Sequence, residues 1–147
     1  MTAHDTTADE AAVRALFDEC RAAVAARDID RLMRHYTDDL VAFDAIGPLR
    51  FVGRAAYGAH WHSCLDMCPG QMIFDMQDLA LSLGDTVGFG HYLVYCGATA
   101  DDGTVQAGWM RASVGLCKVD GQWRIAHEHF SAPFEPESCK AQFGLTP

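Results

Sequence analysis

From residue 71 to residue 131 the chain alternates with a period of two, and only three short breaks interrupt it. The alternating segments are 71–83, 86–99, 104–119 and 122–131, separated by Gly84-Asp85, Asp101-Asp102-Gly103 and Asp120-Gly121. A period of two sends successive side chains to opposite faces of an extended strand. Turns this short join antiparallel neighbours, because a parallel return needs a crossover of about a dozen residues. Asp120-Gly121 is a strong hairpin signal, since both residue types tolerate positive φ. Near Asp78 the alternation slips, which predicts a β-bulge. The second half of the chain is thereby committed to one large sheet.

The first half follows the other period. Val13, Leu16, Phe17, Cys20 and Val24 recur at helical spacing and predict a helix over 8–26, with Thr7-Ala8-Asp9-Glu10 as its capping box. Asp28 can cap a second, short helix whose stripe is Ile29, Leu32, Met33 and Tyr36, ended by Asp38-Asp39. LVAF at 40–43 is a short apolar strand, followed by a loop containing Gly47-Pro48. A third helix over 54–67 stops at Cys68-Pro69-Gly70. The order α-α-β-α-β-β-β-β predicts an α+β fold, with three N-terminal helices packed on one face of a curved antiparallel sheet and a pocket between the layers. One domain is expected over 1–134. The remaining residues, 135–147, read as a lid, an arm across a partner or a loose tail.

Half of the 147 residues are hydrophobic and 21% are charged, as in an ordinary globular domain. A net charge of -9 argues against nucleic acid or an anionic membrane as the main partner. No apolar run reaches the length of a transmembrane helix, and the polar, acidic start MTAHDTTADE does not read as a secretory signal. The six cysteines form no CxxC pair. Reduced thiols and a cytoplasmic location are the expectation, with Cys20 and Cys117 as small core hydrophobes.

Two stretches carry a family resemblance. DIDRLMRHYTDDLVAFDAIGPLRFVG, residues 28–53, is similar to the ketosteroid isomerase pattern of helix, Tyr-x-Asp-Asp, short strand, acidic residue and Gly/Pro loop. VDGQWRIAHEHFSAPF, residues 119–134, resembles SnoaL-like proteins and the association domain of calmodulin-dependent kinases. The resemblance covers about residues 8–134 and implies the NTF2-like, or cystatin-like, cone. It also implies that Asp44, the acid after the short strand, is a general base. The same superfamily hosts isomerases, cyclases, hydrolases, dehydratases and non-catalytic modules. The isomerases hold their oxyanion with a Tyr on the first helix and a protonated Asp on a late strand. Here the first position falls at Cys20, and segment 104–119 has no acid, with Arg111 near the expected place.

Asp44 also stands out on chemistry alone, because an acid ending an apolar strand can sit at a cavity mouth where desolvation makes it a usable base. His127 and His129 alternate in phase with Trp123 and Ile125, so they are expected to face inward, either as satisfied core histidines or onto a ligand cavity. His-x-His with Asp44 offers no evident fourth metal ligand, so neither a metal nor a cofactor is expected. Tyr57 and Trp61 share a face of the third helix, bordered by His60, and suit a planar ligand. Tyr36, His91, Trp109 and Arg111 are further substrate-binding candidates. The face of Arg111 depends on the hairpin. A two-residue turn sets Val114 beside His127 and sends Arg111 to the opposite face, with Glu128. A three-residue loop with a bulge sets Arg111 beside His129.

Two functions fit these residues. One is cofactor-independent proton-transfer chemistry of the isomerase, cyclase or dehydratase type on a small molecule. The other is a non-catalytic module that binds a ligand or builds oligomers. A homodimer is expected under both, since one sheet face needs cover.

Overall fold

The computed structural model describes residues 6–147. Helix α1 (Thr6–Ala25) buries Val13, Leu16, Phe17, Cys20, Ala23 and Val24, the predicted stripe. It already includes Thr6, so Thr7 lies in the first turn and is not the cap. Asp9, on that turn, accepts from Lys118 Nζ at 2.9 Å and Trp123 Nε1 at 2.8 Å, tying the helix to the last hairpin. Asp28 caps α2 (Ile29–Met33) by accepting from the Arg31 backbone N–H at 2.9 Å. Tyr36 does not extend this helix. It opens strand β1 (Tyr36–Phe43), which is longer than the apolar run because Asp38 and Asp39 sit on it exposed. Strand β2 (Phe51–Val52) pairs with β1 and leads into α3 (Arg54–Met67).

Four long strands follow: β3 (Gln71–Leu83), β4 (Val87–Thr99), β5 (Val105–Val119) and β6 (Gln122–Ser131). Their bounds fall within one residue of the sequence reading, because Gly and Asp mark each break. Asp120 and Gly121 have φ of 50° and 76° and form a two-residue hairpin, with Val119 opposite Gln122. Asp78, at φ 57°, is in the expected bulge between Gln77 and Ala80. The strand order is β2-β1-β6-β5-β4-β3. One expectation is corrected here: β1 runs parallel to β6, so the sheet is mixed. The two strands lie far apart in sequence, and the intervening chain supplies the crossover that a parallel pair requires.

The helices cover one face of this sheet, and the core lies between them, from Val13 and Phe17 to Leu40, Val94, Val114 and Ile125. Arg27 joins the ends of two helices. Its guanidinium donates to the carbonyls of Leu65 (2.6 Å), Cys68 (2.9 Å) and Gly70 (3.0 Å), in the last turn of α3 and the loop that follows it. Beyond β6, strands β7 (Phe134–Glu135) and β8 (Lys140–Ala141) form a small separate hairpin.

Candidate functional site

The site begins with one extra residue. Gly115 pairs with His127 and Leu116 with Ile125, which leaves Ala126 unopposed. This bulge shifts the alternation of β6 by one. Trp123 and Ile125 face the core before it, and Glu128 and Phe130 face the core after it. His127 and His129 are therefore turned to the outer face, which corrects the inward placement. His127 donates Nδ1–H to the Val41 carbonyl at 2.6 Å, and both imidazoles pack edge-on against Phe43.

Glu128 takes the interior position and is 2% exposed. Its Oε2 accepts from Tyr57 Oη at 2.8 Å and Tyr36 Oη at 2.9 Å. Burial raises its pKa from 4.5 to about 7. The two phenols pull the value down, and the nearby Asp44 charge adds to the rise. Burial beside this acid also holds Tyr36, Tyr57 and Tyr92 well above the usual phenol value.

Tyr57 links this buried acid to a second one. Its hydroxyl lies 3.4 Å from Asp44 Oδ2, and His60 Nε2 lies 3.3 Å from the same oxygen. The Asp44 and His60 side chains are only 13% and 9% exposed. Asp44 Oδ1 accepts from the Ile46 backbone N–H at 3.0 Å, which fixes the carboxylate plane at the end of β1. His60 stacks on Phe51, with ring centroids 4.2 Å apart. Asp44, Tyr57, Glu128 and Tyr36 thus form one chain of hydrogen-bonding groups, with His60 at its outer end.

Asp44 opens onto a cavity of about 370 Å³. Apart from Asp44 and Gln106 its wall is largely apolar, with Trp61, Leu65, Met72, Phe74, Met110 and Phe130 among the lining side chains. Cys64, Cys68 and Cys96 add three thiols. Burial pushes Cys64 up to about 11 and Cys96 up to about 12, so both remain protonated and act as soft apolar surface. No Lys or Arg lines the cavity among the described residues. No group of three or more His, Cys, Asp or Glu side chains is arranged to hold a metal ion among them either.

The sequence-derived candidates divide cleanly. Asp44 and Trp61 line the cavity. Tyr57 and Tyr36 lie behind its wall, on Glu128. His91, Trp109 and Arg111 are corrected to the outer face of the sheet. His91 pairs with Ser113 in the same outward row as His129, Trp109 packs on Tyr95 at 5.3 Å, and the Arg111 Nε donates to Ser131 Oγ at 3.2 Å. Neither hairpin alternative anticipated this register, because the turn has two residues and the bulge comes later. Sequence reasoning missed Glu128 as an interior acid and His60 as the partner of Asp44. The available signal was Gly115, a strand glycine directly opposite His127, since such glycines often mark bulges.

The chain matches the SnoaL-like domain over residues 13–135. No curated protein matches it in sequence. It is 44% identical to an NTF2-like protein of unknown function from Pseudomonas putida KT2440, covering 97% of this chain and 99% of that one, with a TM-score of 0.89. A protein of unknown function with a cystatin-like fold from Nostoc punctiforme PCC 73102 is 11% identical, covering 90% and 97% of the two chains at TM-score 0.74. A ketosteroid isomerase-like protein from Erwinia carotovora atroseptica SCRI1043 is 20% identical, covering 82% and 93% at TM-score 0.66. With most of its length matched and the NTF2-like architecture in place, this chain belongs to the SnoaL-like domain family.

Proposed function

We propose that this protein is a cofactor-independent enzyme that moves a proton on a small, uncharged, largely apolar molecule, with Asp44 as the base. The observation that carries this reading is the position of Asp44, a fixed carboxylate on a largely apolar wall, with His60 3.3 Å and Tyr57 3.4 Å from one oxygen. A cavity without Lys or Arg does not suit an anionic ligand. In the proposed step Asp44 takes a proton from a carbon beside a carbonyl, and the electron pair moves onto the carbonyl oxygen. The proton then returns to another carbon, giving isomerisation, or leaves with hydroxide as water, giving dehydration. Trp61 supplies apolar surface to the cavity wall, and its indole nitrogen is closed to solvent. Between the two transfers the proton on Asp44 can pass through the Tyr57 hydroxyl to Glu128 and must come back the same way before it leaves the site, which makes Glu128 a temporary reservoir.

The test is solvent deuterium exchange into a panel of enolisable cyclic ketones, followed by NMR. Asp44→Asn should lower exchange at least about a hundredfold while keeping the fold. Exchange equal in the two proteins, or absent for every ketone, would remove the base and favour the second reading, a module that binds its ligand without turnover. That reading draws on the outer sheet face, which carries Phe89, 58% exposed, and farther along the same strand the outward aromatic pair of Tyr95 with Trp109. Under both readings this face is the proposed seat of a homodimer. All six cysteines are free, which suits the reducing cytoplasm proposed as its location.

A further inference from the structure

Strand β6 ends at Ser131, opposite Arg111, so no β6 residue pairs with β5 from Met110 back to Val105. The C-terminal segment occupies this edge. It doubles back through β7 and β8 and returns along β5, where the Phe143 carbonyl accepts the Trp109 backbone N–H at 2.9 Å. The Gln142 N–H donates to the Pro133 carbonyl at 2.7 Å and closes the segment on itself. A Cβ on Gly108 would stand 2.6 Å from Phe143 Cβ and 2.7 Å from its carbonyl oxygen, too close for any real side chain. Gly108 has no positive φ, so backbone conformation does not require glycine there. The approach of the Phe143 backbone does. Phe143 and Ile46 both line the cavity and are 42% and 49% exposed, which puts them at its mouth.

We propose that Phe143, brought over the mouth by this strap and by the missing side chain of Gly108, sets the length of apolar ligand that the cavity accepts. The inference rests on the cavity being a ligand site, as above, but not on turnover. A single backbone hydrogen bond holds the strap to β5 among those described, so substitutions can shift it without dismantling the core.

Equilibrium dialysis against a two-ring and a four-ring neutral probe, 2-naphthol and pyrene, tests it on the full chain. Phe143→Ala should raise the affinity for pyrene about tenfold and leave that for 2-naphthol within about twofold. Gly108→Ala, which forces the strap away, should give the same selectivity change, with thermal unfolding reporting the fold. Should Gly108→Ala not fold, Phe143→Ala decides alone, because its side chain lies outside the core. Equal changes for both probes, no change for pyrene, or no binding of either probe to wild type and variants would each overturn the proposal. Loss of ketone exchange with probe selectivity intact would instead remove the proton-transfer reading and leave the role of Phe143 standing.

Discussion

A carboxyl group enclosed like that of Glu128 makes the stability of the molecule depend on pH in an unusual direction. Its pKa is about 7 in the folded chain against an ordinary 4.5, so between those values the native state holds the proton more tightly than the unfolded state does. Its contribution therefore falls as pH rises through that window, opposite to a salt-bridged carboxylate. Above pH 7 the full cost is on the order of 3 kcal/mol. Glu128→Gln keeps an oxygen for Tyr36 and Tyr57 and removes the charge. Urea unfolding at pH 5 and pH 8 should show the variant gaining up to about 3 kcal/mol on wild type between the two. Parallel behaviour of the two proteins would show that Glu128 is not the titrating group.

At the scale of elements, the helices and the four long strands were legible because periodicity and Gly/Asp breaks are local signals. The bulge at Asp78 was legible as a slip in alternation, and there the chain adopts φ 57°. The bulge at Ala126 was not, because Ala126 carries no signal of its own and the alternation Trp123, Ile125, His127 looked unbroken. That single residue decided whether histidines or Glu128 met the interior, so the site was less readable than the fold. Asp44 was found because an acid after an apolar run is also local. Its pairing with His60 joins a strand end to a helix, a relation no short window contains. The same scale holds a prediction about Arg27, which has φ 56° and donates to the Leu65 carbonyl in the last turn of α3. Arg27→Ala should cost about 2–3 kcal/mol in urea unfolding, through three lost charge-assisted bonds. Arg27→Gly should be about 1 kcal/mol less damaging, because glycine meets no penalty at that φ. Equal losses in the two variants would show that the backbone at 27 is not strained.

Across the whole molecule the outer sheet face is organised in rows. Ala80, His91, Ser113, His129 and Phe43 lie side by side on successive strands, and Gln77, Leu93, Arg111 and Ser131 form the next row. Aromatic, aliphatic and histidine side chains dominate this face, while the chain as a whole carries a net charge of -9. A second copy of the same face is the partner we propose, since the surface combines apolar area with few like charges to repel it. Light scattering should give twice the chain mass for wild type and the single chain mass for Leu93→Asp. A wild-type monomer at micromolar concentration would refute the dimer.

The parallel pairing of β1 with β6 also bears on how the chain is made. Asp44 follows β1, which is made well before its neighbour in the sheet, β6, a strand that ends at Ser131. Until the ribosome has released β6, β1 has only the two-residue β2 beside it, and Glu128 does not yet exist to meet Tyr36 and Tyr57. Between the synthesis of β1 and that of β6 the nascent chain thus holds one edge of β1 open, the kind of exposed edge that chaperones shield. A chain truncated before β6 should depend on such shielding, because the site and the completed sheet arise in the same closing step.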